Sequence, residues 1–114
     1  MIEKVLRDYL ADMMEVPVYL TEPEPGKKPI RYVLLEKTGS GEEDGIKTST
    51  FAVQSYARDR LSDAAELNEA VKQVLRTAVL LDAITSVRLN SDYNFTDTET
   101  KRPRYQAVFD ITHY

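Results

Sequence analysis

Arg31–Tyr56 reads RYVLLEKTGSGEEDGIKTSTFAVQSY, and the fold turns on how it is divided. Arg31–Thr38 and Ile46–Tyr56 are rich in β-branched and aromatic residues, whereas Gly39–Gly45 (GSGEEDG) is glycine-punctuated and acidic. Two β-rich runs separated in this way read as an antiparallel hairpin with a long polar tip.

Downstream, Leu61–Leu81 carries an apolar stripe of Leu67, Ala70, Val71, Val74, Leu75, Ala78 and Val79, the spacing of a helix that covers a core. Ser62 or Asp63 is the expected N-cap. Asp63, Glu66 and Glu69 come early and Lys72 and Arg76 late, which complements the helix dipole. Upstream, Ile2, Val5, Leu6, Tyr9, Leu10, Met13 and Met14 line one side of a first helix, with Glu3–Arg7 and Lys4–Asp8 as i,i+4 pairs on its back. Pro17 ends that helix. Val16–Thr21 contains this proline and suits only an edge strand, and Glu22–Pro29 (EPEPGKKP) a stiff surface loop.

Beyond the second helix, Ala83–Phe95 alternates Val87, Leu89, Tyr93 and Phe95 against Arg88, Asn90, Asp92 and Asn94. Tyr105–His113 alternates Tyr105, Ala107, Phe109 and Ile111 against Gln106, Asp110 and Thr112. Thr96–Pro103 joins them as a second long hairpin. The expected fold is α+β: one domain over residues 1–114, with about five mainly antiparallel strands from two hairpins and an edge strand, flanked by two helices.

A chain of 114 residues with 42% hydrophobic and 30% charged content has room for one core and lies outside the signature of disorder. Its formal charge of −4 and pI of about 5.0 disfavour binding to a polyphosphate backbone. There is no cysteine, and His113 is the only histidine, so thiolate chemistry and a histidine metal cluster are excluded. Glu3, Asp8 and Asp12 interrupt the apolar N-terminal residues, so no signal peptide is expected there, and no apolar run approaches the ~20 residues of a membrane span.

Glu42, Glu43 and Asp44 lack the alternating carboxylates of a Ca²⁺ loop and read as a solvated or partner-contacting tip. Lys101, Arg102 and Arg104, near Tyr93 and Tyr105, form the only compact basic group; three charges in an acidic domain fit a salt-bridging surface better than a nucleic-acid groove. Asp92, Asp97 and Glu99 share one hairpin without a nucleophile, phosphate loop or metal motif beside them. His113 alternates with Phe109 and Ile111 on the inward face, the setting of a hydrogen-bonded structural histidine. Tyr56, Tyr93, Tyr105 and Tyr114 either finish the core or meet a partner at a wet rim. No enzymatic activity, metal or cofactor is expected.

Phe51–Ala57 (FAVQSYA) running into Leu61–Leu75 (LSDAAELNEAVKQVL), then Asn90–Asp97 (NSDYNFTD), then Arg104–Thr112 (RYQAVFDIT), follow a short helix and a proline-containing strand. In this order they resemble the tail terminator, or tail completion, proteins of long-tailed bacteriophages. The resemblance implies a helix-flanked α+β sheet and no reaction at all. Copies, monomeric before assembly, close into a six-fold ring that caps the tail tube protein and meets the head connector protein. It also implies a place at the head–tail interface of the virion, and in the host cytoplasm during assembly, with no membrane or specific nucleic-acid partner. The acidic tip (Glu42, Glu43, Asp44) and the basic group (Lys101, Arg102, Arg104, beside Tyr105) are the candidate subunit or partner contacts, and deleting Gly39–Gly45 is expected to spare folding while impairing assembly. Phage head–tail connector and minor capsid proteins are the nearest alternative; a nucleic-acid-binding regulator is a more distant one.

Overall fold

A computed structural model describes all residues from Met1 to Tyr114. The elements run α1 (Ile2–Met13), β1 (Val18–Tyr19), β2 (Arg31–Glu43), β3 (Ile46–Ala57), α2 (Leu61–Thr77), a 3-10 turn (Ala78–Leu80), β4 (Ile84–Asn94) and β5 (Arg104–His113). The strands form one sheet in the order β1-β2-β3-β5-β4, antiparallel throughout except for the β1–β2 pair. This is the expected α+β architecture.

Both helices cover one face of the sheet. Leu6 and Leu10 of α1 and Val71 and Leu75 of α2 are fully buried against Phe51, Val53, Phe109 and Ile111. Each such side chain contributes about 1.5–3 kcal/mol of burial. Lys4 and Asp8 pair at 2.8 Å as expected, but Glu3 turns away from Arg7 and reaches Lys37 of β2 at 3.7 Å. The cap of α2 lies two residues before Ser62, the nearer of the expected caps: it is Arg60, in extended conformation with no side-chain cap bond. Asp63 is instead buried in the first turn, 3.3 Å from both Arg31 and Arg60.

The first hairpin departs from expectation. Gly39–Glu43 is strand, paired residue by residue with Thr50–Ile46, and the reversal is confined to Asp44 and Gly45. Both have positive φ, 54° and 79°. That is the type I′ geometry an Asp-Gly dipeptide favours, because it matches the twist of the flanking strands. The supposed loop therefore pairs with Ile46–Thr50, and deleting it would strip that part of β3 of its β2 partner, leaving β5 alone beside it.

In β4 the alternation also breaks. Irregularities between Ile84 and Ser86 and between Leu89 and Ser91 insert extra residues against β5. Past the second, faces exchange: Asp92 turns to the helix side, where Lys72 (2.8 Å) and Asn68 (3.0 Å) donate to its carboxylate, and Tyr93 turns to the opposite face. A bulge shifts every later side chain across the sheet.

Two edges of the sheet are open. β1 pairs only with Val33 and Leu34, so β2 is itself the edge from Leu35 to Glu43; β4 is the other edge along its whole length. The molecule is elongated, 45 × 26 × 24 Å.

Candidate functional site

The acidic and basic groups occupy opposite ends of the strands. Glu43 pairs with Ile46 at one end of the hairpin and Arg31 with Ala57 at the other, about 40 Å away at the usual rise per residue. Glu42, Glu43 and Asp44 are exposed and make no ion pair. With Gly41, Ile46 and Thr48 they line a shallow dish of about 460 Å³. No group of three histidine or carboxylate side chains converges there or elsewhere to hold a metal ion.

At the far end the basic group is largely committed inside the molecule. Arg102 donates to Pro29 O at 2.7 Å, and its guanidinium lies 5.2 Å from the Tyr32 ring centre. Arg104 donates through Nε to Phe95 O (2.6 Å) and through Nη1 to the Tyr56 hydroxyl (2.9 Å), lying 4.3 Å from the Phe95 ring centre. Lys101 alone is left at the surface, with a positive φ of 58°. Tyr105 is half-buried, opposite Ser55 and Asn94 in its neighbouring strands.

These arginines belong to an aromatic cluster on the sheet face without helices, invisible to any spacing rule because its members come from β1, β2, β3, β5 and the loops between strands. Tyr32 and Tyr56 stack with ring centres 4.5 Å apart, and Tyr19 meets Tyr32 edge-on. Tyr32 donates to Glu22 Oε1 at 2.7 Å, and Lys28 pairs with the same oxygen at 3.1 Å. Burial pushes the Tyr32 hydroxyl well above the usual tyrosine range, and the neighbouring Glu22 carboxylate pushes it further; burial also raises Tyr56. For Glu22, burial opposes ionisation, but the bonds from Tyr32 and Lys28 outweigh it and hold the carboxyl below its ordinary value. From Tyr56 a chain runs on through Gln54 (3.1 Å), Gln106 (2.9 Å) and Tyr93 (2.6 Å). Tyr56 thus finishes a core, while Tyr93 and Tyr114 remain largely exposed.

The largest concavity, about 690 Å³, lies on the helix side at the acidic end. Ser40, Glu42, Lys47, Ser49 and His113 form its floor, and Met1, Ile2 and Glu3 one wall. His113 is buried on the inward face as expected, 2.8 Å from Ser49 Oγ through Nε2 and 3.1 Å from Tyr114 O through Nδ1. Two protein partners at both ring nitrogens describe a satisfied structural histidine.

Both open edges present unpaired strand backbone, and they differ in charge. Glu36, Glu42, Glu43 and Asp44 along and at the end of β2 carry no ion partner, nor does Arg88 of β4. Asp92, the one carboxylate of β4, is already held by Lys72, which keeps it below the usual aspartate range. A scan of the chain against family models and a search of curated proteins return no match.

Proposed function

We propose that this chain is a structural subunit of a long-tailed bacteriophage: copies close into a six-fold ring that caps the tail tube and joins it to the head connector. The reading rests on the likeness of Phe51–Leu75, Asn90–Asp97 and Arg104–Thr112 to tail terminator proteins. The observation that carries it is the pair of open, chemically unlike sheet edges on opposite sides of one subunit. Unlike patches make a heterologous contact, and a heterologous contact that closes on rotation is a ring.

The test is joining in vitro. Tail tubes made without this protein gain a six-fold cap when it is added, and they then join to filled heads. Glu42→Lys together with Glu43→Lys reverses the charge of an exposed end without touching the core. This double variant should fold as the parent does and lose most of the joining activity. Tubes that stay uncapped with the parent protein overturn the proposal.

A further inference from the structure

We infer that neighbouring copies join by strand addition, β4 of one subunit extending the sheet of the next along the free edge of β2; this rests on the self-assembly reading above and names its interface. The Val33 amide donates outward to Pro17 O at 3.0 Å, so alternate peptide groups of β2 face away from β3. Past Leu34 no strand receives them. An open edge of this length is a pairing template.

The strand directions fit a head-to-tail repeat. β2 and β3, β3 and β5, and β5 and β4 are each antiparallel, so β4 runs antiparallel to β2. Setting the next subunit alongside with its helices on the same side therefore brings β4 against β2 as an antiparallel pair.

Charge selects this pairing over the two-fold alternative. On the helix-free face, β2 presents Glu43, Gly41, Gly39 and, past its bulge, Glu36. The two glycines leave that face bare, with nothing within 4 Å of a built Cβ. The residue level with Gly39 across the sheet is Arg88, through Thr50 and Asp110. In the head-to-tail pair Arg88 lies over the glycine gap, between two carboxylates that lack partners. Two β2 edges paired with each other would instead oppose acidic residues, which is destabilising. On the helix side, Leu80 is 80% exposed beside β4, and in the proposed pair it would come to the next subunit's 690 Å³ concavity, which Ser40 and Glu42 line.

The absence of cysteine makes disulfide trapping clean. Gly41 and Ser86 occupy one row through Thr48 and Thr112, and both are exposed. Single variants Gly41→Cys and Ser86→Cys, or Gly41→Cys and Asn90→Cys for a register displaced along the strand, are mixed under mild oxidation at high concentration and again with tail tubes. The expected product is the mixed dimer, in at least about tenfold excess over the Gly41→Cys homodimer, and the double variant Gly41→Cys/Ser86→Cys should give a ladder ending at a closed ring. Adding Leu80→Asp should cut the yield about tenfold or more, the loss expected when a large apolar contact is removed. A dominant Gly41→Cys homodimer, or no mixed product under either condition, overturns the inference. Trapped rings that fail to join tails to heads leave the interface standing and remove the proposed function; joining without the mixed product does the reverse.

Discussion

Glu22 sits in a proline-rich loop and looks like a solvated charge, yet it accepts the Tyr32 hydroxyl at 2.7 Å and so ties the loop to the helix-free face. Tyr32→Phe keeps the stacking on Tyr56 and removes that bond. A hydrogen bond to a charged group contributes about 1.5–3 kcal/mol, so the denaturation midpoint should fall by a corresponding amount, with the cooperativity of unfolding unchanged. The carboxyls of Glu22 and Asp92 are held below their ordinary values of 4.5 and 3.8. Their stabilisation is therefore complete above those values and is lost as pH falls through the lowered ones. Tyr32 works in the other direction: with its hydroxyl raised above 10.0, its contribution is complete below that pH and declines as the unfolded chain ionises first. Urea unfolding from pH 3 to pH 11 should give a plateau with losses at both ends, and the double variant Glu22→Gln/Asp92→Asn should flatten the acid side. An acid limb that is unchanged in that variant would remove both carboxylates from the account.

The hairpin of β2 and β3 shows what sequence does and does not make legible. Its existence follows from two β-rich runs, but its length was hidden by composition: glycine, serine and glutamate look like loop, and only the Asp44–Gly45 dipeptide marks the true reversal. Strand pairing overrode the weak β-propensity of Gly39–Glu43, because Thr48–Thr50 were already fixed against β5. Gly45→Ala forces a side chain into φ 79° and should cost about 1 kcal/mol, read as a lower thermal midpoint. The helices were legible from their stripes, apart from the cap of α2, because Asp63 found two arginines rather than the helix end. The faces of β4 were legible only as far as Leu89, since no residue type announces the bulge that follows. Of the candidate contacts, the acidic residues lie free where a tip was expected, whereas Arg102 and Arg104 are held by carbonyls and rings from distant segments, a fact that spacing along the chain does not encode.

At the scale of the molecule, the sheet is elongated, with one helix-covered face and two open edges, and under the proposed assembly it would be continued sideways. In the proposed assembly, repetition of the unlike edges would close the ring. A contact made by strand pairing alone also suits a subunit that stays monomeric until a template raises its local concentration, since strand pairing must exceed the entropy lost on association. Hydrogen exchange of the free and assembled protein tests this most directly. Slow exchange should appear only upon assembly in the alternate, outward-facing amides of residues 35–43 of β2 and 84–94 of β4, while the amides already paired inside the sheet remain protected in both states. Assembled particles in which both edges exchange as fast as in the free chain would contradict the account.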